Sequence, residues 1–113
     1  MNDEKKPCYE TAEQNLFTRF ETEKHGHYAL PYVGLLYAHQ SPPGNAADTL
    51  TLFYVTHTVT IRGAQLASLL MVIQKGRAET IRVGGGQAGG ATSGPTVREI
   101  RVAEGGHQAE SGL

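Results

Sequence analysis

The chain has 113 residues, a mass of 12.2 kDa and a formal net charge of −1 at pH 7. This length fits one domain, and the near-neutral charge argues against strong attraction to nucleic acid or to an anionic membrane. The single cysteine, Cys8, excludes an intrachain disulfide and is consistent with a reducing compartment. The start of the chain lacks the apolar segment of a secretory signal, and the longest apolar run, 69–73, is too short to span a membrane. We therefore expect a soluble, cytoplasmic protein.

The N-terminal region carries the signals of a helix. Residues 1–10 are charged and predicted to be disordered. Thr11 and Gln14 then have the spacing of a capping box. An apolar stripe with helical spacing follows, formed by Ala12, Leu16, Phe17 and Phe20. The sequence therefore predicts a helix over about 11–23 that ends near Gly26.

The strongest β-signal in the chain lies at residues 50–62. From Phe53 onwards, one parity is apolar except for a histidine: Phe53, Val55, His57, Val59 and Ile61. The other parity is polar apart from its tyrosine: Tyr54, Thr56, Thr58, Thr60 and Arg62. This alternation predicts a half-buried strand. The apolar parity changes after Leu52, which indicates a bulge, a bend or two short strands. A further strand is predicted over 28–40, followed by a turn at 40–45.

The second half of the chain begins with a helical pattern. Leu66, Leu69, Leu70 and Ile73 have the spacing of one helical face, and Gly76 gives a C-terminal stop. Short strands are predicted over 79–83 and 96–102. The glycine-rich segment 84–95 between them is predicted to be a flexible loop, and 103–113 a disordered tail.

Together these elements predict a single α+β domain over 11–102. Its fold would be a small, mainly antiparallel sheet with an N-terminal helix and one central helix packed on it. The predicted core comprises Leu35, Phe53, Val55, Val59, Ile61, Leu66, Leu69, Leu70, Ile73, Ile81 and Ile100.

A charge-poor sheet surface is the leading functional feature. Between Gly26 and Ile61 the one ordinary charge is Asp48, whereas a solvated sheet face normally carries lysine, arginine or glutamate. Tyrosine and threonine occupy the positions where such charges are expected. The predicted interface residues are Tyr32, Tyr37, Tyr54, Thr56, Thr58 and Thr60. We therefore expect a non-catalytic interaction or assembly module that forms a homo-oligomer or binds a protein partner. The tyrosines have a second interpretation, as fillers of a small core.

Two alternatives use other residues. A patch of Arg62, Arg82, Arg98 and Arg101 beside the sheet aromatics would bind single-stranded nucleic acid. The histidines His25, His27, His39 and His57 would serve a metal protein or small enzyme, since an H-x-H pair on a strand points both rings to one face.

Other catalytic and cofactor signals are weak. The glycines at 84–89 match a dinucleotide fingerprint formally, but the residues that follow oppose the helix which that motif requires. No nucleophile motif is recognisable. The sequence thus predicts no cofactor and favours a protein that is not an enzyme.

Overall fold

The chain folds into two β-sheets and one α-helix. A computed structural model describes residues 7–41, 48–85 and 94–105. The strands are β1 (Tyr9–Thr11), β2 (Phe17–Glu21), β3 (His27–Pro31), β4 (Leu35–Gln40), β5 (Asp48–Tyr54), β6 (His57–Ala64), β7 (Ala78–Arg82), β8 (Gly84–Gly85) and β9 (Thr96–Glu104). Helix α1 spans Leu66–Gln74, and a 3-10 turn covers Tyr32–Gly34.

The two sheets share one hydrophobic core. The four-stranded sheet has the order β1-β7-β2-β3, and the five-stranded sheet has the order β4-β5-β6-β9-β8. All pairings are antiparallel except that of β2 with β7. Phe20 of β2 meets Tyr54 of β5 edge to face, with ring centroids 6.1 Å apart. Both side chains are fully buried, so this contact joins the sheets through the core.

The prediction of an N-terminal helix over 11–23 is wrong, and the predicted fold class is therefore wrong as well. Strand residues make up 59% of the described chain and helical residues 14%, with α1 the single α-helix there. Within β2, Thr18 and Phe20 are buried while Phe17 and Arg19 are exposed, which is the period of a strand. The Thr18 hydroxyl donates to the carbonyl oxygen of Ala78 at 2.9 Å. The hydrogen-bonded pairing of β2 with β3 and β7 therefore outweighs the helical tendency of a short apolar stripe that also fits helical spacing.

The strongest β-signal forms a hairpin of two strands with a turn at Val55 and Thr56. In β5 the buried side chains are Asp48, Leu50, Leu52 and Tyr54, whereas in β6 they are Val59, Ile61 and Gly63. Phe53 consequently points away from the core, and Val55 is 55% exposed in the turn. Both had been predicted as core residues. The parity change arises because the chain reverses there.

Helix α1 matches the predicted central helix and buries Leu66, Leu69 and Ile73. Its start is stabilised from a distant strand. Gln65, just before the helix, has a left-handed backbone (φ 56°) and makes no side-chain capping bond. The Leu66 N–H instead donates to Oδ2 of Asp48 at 3.1 Å, and Asp48 is only 4% exposed. A carboxylate at this end of a helix also interacts favourably with the helix dipole.

The termini and the glycine-rich segment are only partly described. Ordered structure begins earlier than the domain limit that the sequence predicts, because Cys8 is buried and β1 starts at Tyr9. Gly84–Gly85 forms β8, and β9 continues to Glu104. Residues 86–93 and 106–113 lie outside the described residues. Among the helices described, none is long and apolar enough to cross a membrane.

Removing the distant cap should weaken the fold. Asp48→Ala deletes the acceptor for Leu66 N–H, and we expect a loss of about 1–2 kcal/mol in the free energy of unfolding. Asp48→Asn keeps an acceptor oxygen and should lose less. Ser68→Ala, at an exposed position in the same first turn, is the control and should stay within about 0.5 kcal/mol. Urea titration followed by circular dichroism gives all three values. Equal stability of Asp48→Ala and wild type would contradict the capping role.

Strand β6 passes close to β9 at Gly63. The pairing of these strands shifts register between Arg62 and Gly63. A Cβ atom at Gly63 would overlap the carbonyl oxygen of Thr96. Gly34, in contrast, has its nearest neighbours at 3.7 and 4.0 Å from an added Cβ, which is ordinary contact.

The two glycines therefore form a matched pair of test positions. Gly63→Ala must push β9 away from β6, so we expect a loss of about 3 kcal/mol or more. Gly34→Ala should stay within about 1 kcal/mol of wild type. The midpoints of urea unfolding measure both. A Gly63→Ala variant as stable as Gly34→Ala would show that the approach of β9 is not as close as described.

Candidate interaction surface

One side of the five-stranded sheet points away from the core, and its outward side chains on β4 and β5 include no Asp, Glu, Lys or Arg. Strand pairing sets its side chains in rows across the sheet: Tyr37 beside Phe53 beside Thr58, then His39 beside Thr51 beside Thr60, then Thr49 beside Arg62. We call this surface the threonine face, defined by Tyr37, His39, Thr49, Thr51, Phe53, Thr58 and Thr60. Residues directly opposite on paired strands share a face, so these seven side chains form a continuous array.

The threonine face exposes both methyl groups and aromatic rings. Tyr37 and Phe53 stack with centroids 4.5 Å apart and an angle of 25° between the rings. Tyr37 is 46% exposed, and the four threonines are half-buried by their neighbours. Charges lie along one border, where Glu99 contacts Arg101 at 3.0 Å and Arg62 at 4.0 Å. The centre is a neutral surface with apolar and hydroxyl groups interleaved.

Three of the six predicted interface residues lie on the threonine face: Tyr37, Thr58 and Thr60. Tyr54 is instead 1% exposed in the core, where burial raises the pKa of its hydroxyl far above the usual value. The Tyr32 hydroxyl accepts a hydrogen bond from the Ala78 N–H at 3.0 Å. Thr56 lies in the β5–β6 turn. The core interpretation of the tyrosines therefore holds for Tyr54 but not for Tyr37.

Three members of the threonine face are absent from the predicted interface: Thr49, Thr51 and Phe53. The signal was present in the alternation T-L-T-L-F-Y at 49–54, in which the leucines and the tyrosine are buried. Taken from Phe53 onwards, the alternation places Phe53 on the same side as Val59 and Ile61 and so predicts it to be a core residue. Extending the pattern backwards from Leu52 would have placed all three outside.

The four predicted arginines do not form one patch. Arg62 lies on β6, while Arg98 and Arg101 lie on the neighbouring strand β9. Arg82 lies in the other sheet, only 13% exposed in its side chain. Its guanidinium donates to Glu10 at 2.7 Å, to Glu21 at 3.2 Å and to the carbonyl oxygen of Pro7 at 3.1 Å.

The environment of Arg82 is that of a structural ion pair. Burial alone would raise the pKa of Glu21, but the hydrogen bond and positive charge of Arg82 outweigh it and hold that pKa below its usual value. Arg82 thus ties β1, β2 and the N-terminal segment together. These contacts point the Arg82 guanidinium group towards carboxylates of its own chain.

The predicted metal ligands are dispersed. His25 lies in the β2–β3 turn, His27 begins β3, His39 lies on the threonine face, and His57 begins β6. Nδ1 of His57 shares a 2.7 Å hydrogen bond with the Thr56 hydroxyl, and its ring contacts Tyr28 edge to face. Within residues 7–41, 48–85 and 94–105, no three histidine, cysteine, aspartate or glutamate side chains are grouped as metal ligands.

Cys8 is buried rather than reactive. Its thiol donates to the carbonyl oxygen of Pro95 at 3.4 Å and lies against Gly85, where an added Cβ would come within 3.2 Å of the sulfur. Burial raises the pKa of the thiol to about 11. The nucleophilic thiolate is therefore scarce at neutral pH.

Comparison of the chain with protein-family models, with curated proteins and with solved structures found no match.

Thiol labelling tests the placement of Cys8. At pH 8 we expect Ellman's reagent to modify the native protein on the order of 100-fold more slowly than the unfolded protein in guanidinium chloride, since few folded molecules carry a thiolate. The folded pKa lies above the unfolded value of 9.0, so the unfolded state releases the proton first. This contribution to stability is therefore complete below pH 9 and is lost as the pH rises from about 9 to about 11. Rapid labelling of native protein at pH 8 would contradict the burial.

Proposed function

We propose that this protein is a non-catalytic assembly module that forms a homodimer through the threonine face. The observation that carries the proposal is that the outward side chains of β4 and β5 include no Asp, Glu, Lys or Arg, while the charges on this side of the sheet, Arg62, Glu99 and Arg101, lie towards its β9 border. An uncovered sheet surface normally carries charges that oppose association. Here the methyl groups and the Tyr37–Phe53 pair supply apolar area, while the hydroxyl groups supply hydrogen-bond donors and acceptors.

Twofold symmetry is the arrangement that best fits a neutral face. Closed dimers place the same surface of two subunits in contact, so any charge at the centre would lie near its own copy. The threonine face avoids this cost at its centre because the nearby charges, Arg62, Arg101 and Glu99, lie along its border. Tyr37 and Phe53 are of the residue types that anchor interfaces.

The area of the threonine face sets the affinity that we expect for the dimer. Three strands about 4.8 Å apart and five residues of about 3.3 Å each give roughly 14 by 17 Å in projection. That is smaller than the ~800 Å² per partner of a standard interface. We therefore expect a weak dimer whose population rises with concentration, and not an obligate assembly.

Placing one charge at the centre of the face tests the proposal. Thr51 is flanked across the sheet by His39 and Thr60, so Thr51→Lys would bury an unpaired ammonium group in the dimer. We expect its dimer dissociation constant to rise at least about 100-fold, whereas Thr51→Val should leave it unchanged or lower it. Ala67→Lys adds the same charge at an exposed helix position and should behave like wild type. Light scattering over a concentration series measures the mass of each variant.

Two outcomes of that series would contradict the proposal. One is a wild-type protein that remains monomeric at the highest concentration. The other is a dimer that Thr51→Lys and Ala67→Lys affect equally, which would place the interface elsewhere.

The Tyr37–Phe53 stack also favours a second candidate function, the binding of single-stranded nucleic acid. Aromatic rings on a sheet provide stacking platforms for bases, and Arg62 and Arg101 lie at the border of the same face. Glu99 offsets part of that charge. The test is titration of a fluorescent oligothymidylate at low and high salt. Binding that weakens with salt and is lost in Phe53→Ala would favour this function over assembly. No binding at low salt would eliminate it.

A further inference from the structure

Strand β9 has an open edge along most of its length. It pairs with β6 from His57 to Ala64, but on its other side β8 pairs only with Thr96 and Val97. Gly105 N–H donates to the carbonyl oxygen of Thr56, so from Glu99 onwards the odd-numbered residues of β9 direct their backbone groups towards β6. The backbone groups of Ile100 and Val102 therefore face the opposite way. No described residue forms a backbone hydrogen bond with them on that side.

A cleft of about 640 Å³ runs along this open edge. One wall is β9 from Arg98 to Ala103, and the opposite wall is the β2–β3 turn from Thr22 to His25, with Val83 also in the lining. Its volume lies in the range of ligand-binding clefts. Consecutive residues of one strand line it, as expected of a groove that follows an exposed strand edge. An extended chain is the ligand whose backbone matches such an edge.

We propose that this cleft binds an extended peptide by strand addition, and that the peptide alternates apolar and acidic residues. The alternation follows from cross-strand geometry. Ile100 and Val102 point into the molecule, and Arg101 between them points outwards. A paired residue places its side chain on the same face as the residue opposite. Apolar side chains should thus lie opposite Ile100 and Val102, and an acidic side chain opposite Arg101.

The charges around the cleft favour the acidic position. Its lining contains three cations, Lys24, Arg98 and Arg101, and two carboxylates, Glu23 and Glu99. Glu99 also contacts Arg62, which lies outside the lining. The site borders the threonine face at Arg101, but it uses the edge of β9 and does not depend on dimer formation.

A blocked, fluorescein-labelled peptide of sequence Thr-Val-Glu-Val-Thr is the probe, and Thr-Val-Lys-Val-Thr is its charge-reversed control. We expect fluorescence anisotropy to show tighter binding of the glutamate peptide to the wild-type protein. Arg101→Glu should reverse this preference, because the central side chain then meets a carboxylate. Unchanged preference in Arg101→Glu, or no binding of either peptide by the wild-type protein, would overturn the proposal.

A proline substitution tests the backbone contact separately. Val102→Pro removes an N–H that faces the cleft and leaves the ladder to β6 intact, so we expect about tenfold or greater loss of affinity. The matched control is Ala38→Pro, which removes an edge-facing N–H from β4, at the far side of the same sheet. It should bind the peptide as wild type does. Equal affinities for the two proline variants would overturn strand addition.

Amide hydrogen exchange of the wild-type protein covers the case in which Val102→Pro does not fold. The N–H groups of Ile100 and Val102 should exchange rapidly in the free protein and slow at least tenfold when the glutamate peptide is bound, while Ala38 does not change. If these two N–H groups are already protected without peptide, a part of the chain itself covers the edge and the proposal is wrong.

Discussion

The edge-to-face contact of Phe20 with Tyr54 is the constraint on which the rest of the structure depends. It joins the two sheets at the centre of the core, with ring centroids 6.1 Å apart. Because Tyr54 points inwards to make it, Leu50 and Leu52 on the same strand also point inwards. Phe53 and the threonines of β5 are then directed outwards by the two-residue period of a strand. The threonine face is thus a consequence of how the core is filled.

The second consequence concerns the edges of the sheets. β3 ends at Pro31, which has no N–H to donate, and β1 is three residues long and carries Glu10. Both are usual protections against unwanted pairing. β9 is nine residues long and contains no proline, although Arg98, Glu99 and Arg101 carry charge; beyond Val97 no described strand pairs with its outer edge, which borders a cleft. The threonine face and the open edge of β9 are thus two surfaces of different chemistry, for which we propose two occupants: a second copy of the chain and an extended peptide.

The predictability of each element follows the range of the interactions that determine it. Helix α1 and strand β6 were predictable because Leu66, Leu69 and Ile73, and separately Val59 and Ile61, carry their periods locally. The stretch 16–20 fits both the period of a helix and the period of a strand. It forms a strand because β2 pairs with β7, which lies some 60 residues away in the sequence. The cap of α1 by Asp48 and the ion pairs of Arg82 also join residues that are distant in sequence, so no local sequence pattern predicts them. Three of the six predicted interface residues lie on the threonine face because alternation locates the faces of a strand, whereas Tyr54 points inwards, where it contacts Phe20.

The central claim is that two copies meet through the threonine face. An isotope-filtered NMR experiment on a mixture of ¹³C-labelled and unlabelled protein tests it most directly, because only contacts between different molecules are observed. The account predicts intermolecular signals from the methyl groups of Thr51 and Thr60 and from the ring protons of Tyr37 and Phe53. Intermolecular signals confined to other residues, or none in a concentrated sample, would contradict it.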